Sequence, residues 1–221
     1  DRSKKDSTFR PKKEHNTNSM KKLHLSAKAS LGAGDLLAAV KLPSDEDINE
    51  WLAVHVVDFY NTSNLIYGSL VSHCTAATCP VMNATSKFEY LWLDKSKDKN
   101  AKPVTVSAPQ YVELLMDWIE NQLNDEAIFP TDTSVPFPKT FRKTVENIFK
   151  RLFRVYAHIY CKHLDDIKKM GEDAHLNTAF KHFIHFIFEF NLVSGDELVP
   201  LKICIIDLCG DKYADRFPKE K

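Results

Sequence analysis

The apolar positions along the chain follow mostly the 3.6-residue period of helices. The pattern is clearest from about Thr140, where Val145, Ile148, Phe149, Leu152, Tyr156 and Ile159 form one stripe. At roughly 100° per residue, Lys143, Lys150, Arg151, Arg154 and His158 fall on the side away from it. This one helix is expected to offer a buried face, a compact cationic patch and, with His163, two imidazoles at its C-terminal end. Ser44-Asp45-Glu46-Asp47 predicts the start of an earlier helix, with Ser44 as the cap and Asp47 completing a capping-box-like spacing. That helix runs to about Tyr67 on Ile48, Trp51, Leu52, Val56, Phe59 and Tyr60. Another follows Ala108-Pro109 on Val112, Leu115, Met116, Ile119 and Leu123. His175–Asn191 is an aromatic helix through Phe180, Phe183, Phe186 and Phe190, and Glu197–Leu208 is the last.

Between these elements, Leu23–Val40 predicts a short helix or two, broken near Gly32-Ala33-Gly34. Lys87–Leu93 alternates as a strand would, and Val104–Ser107 is its expected partner across the Lys/Asp-rich stretch 94–102. The fold class is therefore mainly α, a helical bundle with a small β-hairpin. Three parts are expected: a flexible basic regulatory arm over 1–22, a helical domain over 23–210 and a polar C-terminal tail over 211–221.

Composition narrows the function. Lys+Arg and Asp+Glu number 30 each in 221 residues, so no global field draws the chain to nucleic acid. The distribution is uneven, however. The first two dozen residues are rich in Lys and Arg, while Asp45, Glu46, Asp47, Glu50 and Asp58 make the start of the first long helix acidic. A basic arm could lie on that acidic face. No apolar run is long enough for a bilayer, and the N-terminus lacks the hydrophobic block of a signal peptide. The segment opens at Asp1 rather than Met, so a longer parent chain is the expectation. Five cysteines without the spacing of a disulfide scaffold favour a reducing, intracellular setting.

Two constellations carry chemistry. Cys74-x4-Cys79 and His158-x4-His163 supply two thiolates and two imidazoles, a suitable set for a closed tetrahedral zinc site. The histidine spacing is awkward, because an i,i+5 pair sits about 140° apart on an ideal helix. A shared ion needs the helix to unwind or bulge between them, and Cys161 at i+3 from His158 is a rival ligand. Spacing alone leaves zinc open against two reduced cysteines and two partly buried histidines. His182 and His185 read as packed or groove-lining residues, and Cys204 and Cys209 as core and helix-end positions. The second constellation is Lys150, Arg151 and Arg154, which lie within about one turn and can surround a phosphate with charge-assisted bonds. Its rival is a solvated basic face.

The string from Lys150 to Tyr160, KRLFRVYAHIY, resembles the signature of the Mob (Mps one binder) family. Asn49-Glu50-Trp51, Val57-Asp58-Phe59, Cys74–Val81, Val135-Pro136-Phe137-Pro138-Lys139 and His175-Leu176-Asn177-Thr178 match in order, closest to its Mob1-type subgroup. The resemblance implies a zinc-stabilised bundle with a four-helix core, with a structural Zn2+ on Cys74, Cys79, His158 and His163. It also implies a non-enzymatic adaptor that activates NDR/LATS-type AGC kinases, in the contexts of Hippo signalling, mitotic exit and cytokinesis. By this likeness Glu46, Glu50, Trp51 and Asp58 meet the basic N-terminal region of such a kinase. Lys150, Arg151 and Arg154 match a pocket for phosphothreonine segments of an upstream Ste20-like (Hippo/MST) kinase or a phosphorylated scaffold. The family's regulatory threonine before Leu-Gly corresponds to Ser30, and its other phosphosite matches Thr8. A monomer is the default, with no membrane or nucleic-acid partner. A cytoplasmic location is the expectation, with the nucleus and the centrosome or spindle pole as further candidate sites. A zinc hydrolase is the rival, and the chain lacks H-E-x-x-H and a convergent general base for it.

Overall fold

The computed structural model describes residue 25 and residues 34–95 and 99–219. Thr8, Ser30, the basic arm and the break at Gly32-Ala33 lie outside the described residues. The described chain is mainly helical. A short α1 (Leu36–Val40) is capped by Asp35, whose carboxylate accepts from the Leu37 and Ala38 amides.

The first long helix, α2 (Ile48–Gly68), begins later than the Ser44 cap predicts. Asp47 is the N-cap, with Oδ1 accepting from the Asn49 amide at 2.8 Å and from the Glu50 amide at 3.1 Å. The reason is local: Asp45 has φ +66°, a left-handed conformation an α-helix cannot contain. Every residue from Trp51 to Val57 is buried, so this stretch of α2 is enclosed on all sides, while Ile48 and Leu65 near the helix ends stay exposed. Trp51 donates its indole N–H to the Val40 carbonyl at 3.1 Å, which fastens α1 to it.

Three other long helices surround α2. They are α3 (Ala108–Leu123), capped by Ser107 with Pro109 in its first turn, α4 (Phe141–Lys162) and α6 (Asp173–Glu189). Between the last two lies α5 (Leu164–Lys169). The seam of α2, α4 and α6 is aromatic. Phe59 lies 5.4 Å from Phe149 and 5.3 Å from Phe186, ring centre to ring centre, and Phe149 lies 5.6 Å from Phe183. Such offset and edge-on pairs contribute about 0.5–1.5 kcal/mol each beyond their buried area.

Two expectations are corrected. Among the described residues the expected β-hairpin is reduced to isolated antiparallel bridges, Asn83 with Glu89 and Trp92 with Val104. The segment Met82–Ala84 takes part as well, since the Met82 amide donates to Val106 and the Met82 carbonyl accepts from Tyr90. Pro103, next to Val104, has no amide to extend a ladder. The last helix is likewise interrupted, into α7 (Gly195–Leu198), a 3₁₀ turn over Val199–Leu201 and α8 (Lys202–Cys209). Pro200 lacks the amide that a continuous helix would need. The tail beyond Gly210 packs as a 3₁₀ turn over Asp211–Arg216, with Tyr213 stacked on Phe188 and Phe217 buried. Here Gly195 is required, because a Cβ at that position would stand 1.9 Å from the Arg216 carbonyl oxygen.

Candidate metal centre and anion pocket

The loop after α2 folds its two cysteines onto one side. Cys74 donates its amide to Leu70, and Cys79 to Thr75. Between them Thr75 and Thr78 exchange side-chain and amide hydrogen bonds, and the Thr78 hydroxyl donates to the His73 carbonyl. At the other end of the site α4 stays helical through Lys162, and no bulge separates the histidines. His163 is the residue after the helix, with φ −128° and ψ 11°. The angular mismatch of the i,i+5 pair is absorbed there, and the two rings come to 5.2 Å apart.

All four side chains are buried, and their ligand atoms lie within 4.8 Å of one another. Cys74 Sγ is 3.4 Å from His158 Nε2, and Cys79 Sγ is 3.2 Å from His163 Nε2. The opposite nitrogens are held as well. His158 Nδ1 lies 2.7 Å from the Asn83 carbonyl, and His163 Nδ1 lies 3.1 Å from Asp166 Oδ2. These contacts turn both Nε2 atoms toward the sulfurs as acceptors. Tyr67 at the end of α2 donates its hydroxyl to Cys74 Sγ at 3.4 Å.

Burial lowers the His158 pKa to about 4 and pushes the Cys74 thiol up to about 12, against the Tyr67 hydrogen bond. A neutral imidazole is the ligand form, and a dication would draw the protons off the thiols. Soft sulfur and imidazole donors in a closed set of four can hold a metal ion and leave no open position for a reactant. Cys161 is exposed and outside the cluster. His182 packs against Phe59, His185 pairs with the Tyr213 hydroxyl at 2.7 Å, and Cys204 and Cys209 are half-buried on α8.

The cationic patch is only partly solvated: the Lys150 side chain is 38% exposed and that of Arg154 18%. Trp92 and α3 cover it, and the Arg151 guanidinium lies between the rings of Trp92 and Trp118, 4.7 and 4.4 Å from their centres. Its Nη2 donates to the Leu93 carbonyl at 2.6 Å. Arg154 lies over Tyr90 and donates to the Tyr111 hydroxyl at 3.2 Å. Lys150 and Arg154 both meet Glu197 of α7. Burial lowers the Arg151 pKa. On Arg154 burial acts the same way, but Tyr111, Glu197 and Tyr90 outweigh it and the pKa is raised. Arg151 Nη1 and Arg154 Nε are buried with no hydrogen-bond partner among the described residues. Sequence periodicity placed the three cations together but missed Trp92, Trp118, Tyr111 and Glu197, for which no spacing signal exists.

Glu46, just before α2, and Glu50 and Asp58 on it are partly exposed, whereas Trp51 is buried and presents no surface. Burial, Asp47 and Glu46 raise the Glu50 pKa, so acidic charge is concentrated at this end of the helix.

A helical body with a closed four-residue cluster that could hold a metal ion, and with three cations gathered on α4, has the features of a binding protein. The model of the Mob1/phocein family matches residues 28–201, and the chain belongs to that family. MOB kinase activator-like 1 homolog B of Dictyostelium discoideum is 55% identical over 205 residues, which cover 92% of this chain and 94% of the relative. Human MOB kinase activator 3A is 51% identical over 207 residues, 93% of this chain and 94% of its own length. Human MOB kinase activator 3B is 52% identical, with 93% and 95% covered. The family consists of regulatory adaptors of kinases, and this chain is one of them, not an enzyme.

Proposed function

We propose that the chain is a two-surface co-activator that joins a phosphothreonine segment to an AGC kinase of the NDR/LATS type. The phosphothreonine, from an upstream Ste20-like kinase or a phosphorylated scaffold, docks on Lys150, Arg151 and Arg154. The observation that carries this reading is the pair of buried, unpartnered donors, Arg151 Nη1 and Arg154 Nε, beside a lysine. An unmet buried donor is costly, and an anion that reaches these two, both closed to solvent as the side chains stand, relieves that cost. The kinase's basic N-terminal region meets Glu46, Glu50 and Asp58, a reading supported by the crowded carboxylates there. A structural zinc ion on Cys74, Cys79, His158 and His163 fixes the loop after α2 to the end of α4. Phosphorylation of Thr8 in the arm over 1–22, joined by Ser30 just beyond it, adds negative charge to this basic N-terminal region and lifts the arm from the acidic helix. The same proposal takes the chain to act as a monomer in the cytoplasm, with access to the nucleus and the centrosome or spindle pole.

The test is calorimetric titration of phosphothreonine peptides of several flanking sequences, and their unphosphorylated twins, into wild type and an Arg151→Ala/Arg154→Ala variant with its fold checked by circular dichroism. Phosphate-dependent binding lost in the variant is the expected result. Absence of binding by the zinc-loaded wild type overturns the reading.

A further inference from the structure

Glu197 enters the cationic pocket from α7. Its Oε1 lies 3.2 Å from Lys150 Nζ and its Oε2 lies 3.5 Å from Arg154 Nη2. Each carboxylate oxygen thus holds one of the pocket's cations. Arg151 is held separately, by the Leu93 carbonyl and the two tryptophan rings. Among the described residues, the buried donors left without a partner in this pocket are Arg151 Nη1 and Arg154 Nε.

An incoming anion that uses Lys150 and Arg154 must therefore displace or crowd Glu197. For an aspartate or glutamate side chain the exchange is carboxylate for carboxylate, and little is gained. A phosphomonoester dianion brings a second negative charge and a third terminal oxygen. It has atoms for Lys150, for Arg154 and for both leftover donors.

We propose that Glu197 is the specificity-determining residue of this pocket, an intramolecular competitor that excludes carboxylate side chains and admits a phosphomonoester dianion. The inference rests on the anion-pocket reading above and assigns the pocket its selectivity. The opposite role is also physically available: Glu197 could position Lys150 and Arg154, so that its loss weakens binding. The two roles differ in the sign of the effect.

The probes are a phosphothreonine peptide, the same peptide with glutamate at that position, and inorganic phosphate, each titrated into wild type, Glu197→Gln and Glu197→Ala. Wild type is expected to bind the phosphopeptide, to lose it to inorganic phosphate in competition and to ignore the glutamate peptide. Both variants are expected to bind the phosphopeptide about tenfold more tightly, the scale of one removed like charge at a half-exposed site. Both are also expected to bring the glutamate peptide into the measurable range. Either variant alone decides the matter if the other fails to fold. Unchanged or weaker binding, and above all a decline from wild type through Gln to Ala, overturns the proposal and leaves the pocket standing. If wild type binds no phosphate at all, the pocket reading falls and the competitor with it.

Discussion

Cys74 Sγ and His158 Nε2 stand 3.4 Å apart across 84 residues of sequence, and Cys79 stands in the same relation to His163. A loop with little regular structure is held to the end of the longest helix by these two contacts and the ion they can share.

Metal removal should therefore destabilise the protein without unfolding it at room temperature. The aromatic seam of α2, α4 and α6 needs no ion, so helical circular dichroism should persist after chelation. The melting temperature is expected to fall by about 10 °C, the shift a few kcal/mol produces in a chain of this size. An unchanged melting curve would show that the cluster binds nothing that matters to the fold.

Asp166 orients His163 from the opposite side of the ring. Asp166→Asn should leave the fold intact and weaken metal affinity about tenfold or more, as loss of a carboxylate behind a histidine ligand does. Competition against a chromophoric chelator measures this. Equal retention by wild type and variant would mean that the ring is oriented by packing alone.

These two sites differ in how far the sequence showed them. The four metal ligands were visible because cysteine and histidine are scarce and their spacing is conspicuous. The means of bringing them together was not, because a bend at His163 lies in backbone angles rather than in residue type. The bundle was legible from the stripe that ends at Ile159. The enclosure of α2 was harder to see, since Trp51–Val57 carries His55 in an otherwise apolar run, and periodicity fades when every face is buried. Glu197 could not be assigned to the pocket, because an acid at a helix start ordinarily reads as a dipole partner.

Arg151→Lys keeps the charge and removes the planar group. The stack between Trp92 and Trp118 and the bond to Leu93 should both be lost, costing about 1–2 kcal/mol of stability. Phosphopeptide affinity should fall as well. Denaturation followed by tryptophan fluorescence reports the first effect, and the native emission should shift as the rings lose their cation. A variant as stable as wild type would show that the sandwich is incidental.

On the acidic face, Asp58→Ala should reduce affinity for the basic N-terminal segment of an NDR/LATS-type kinase by about tenfold at low salt, with less difference as salt rises. Phosphopeptide binding should not change. Undiminished kinase affinity would place that contact elsewhere on the molecule.

Acid should begin to weaken the fold below about pH 6.5, above the ordinary carboxylate range. Burial holds His182 at about 3 and His185 at about 4, and in the chelated protein His158 at about 4 as well, all below the ordinary value near 6.5. The unfolded chain takes up these protons first, so their contribution is complete above about pH 6.5 and is lost as pH falls toward 4. The urea midpoint of the chelated protein should drop between pH 7.5 and pH 5, and His182→Gln should flatten that drop. A parallel fall in both proteins would assign the acid sensitivity to other groups.

Gly195 lies two residues before Glu197, and its missing side chain is what lets the Arg216 carbonyl approach. The end of the packed chain is thus a backstop for the turn that aims a carboxylate at Lys150 and Arg154. A single methyl group at position 195 would act as a lever, tilting α7 and retuning the pocket from its far side without touching any residue in it.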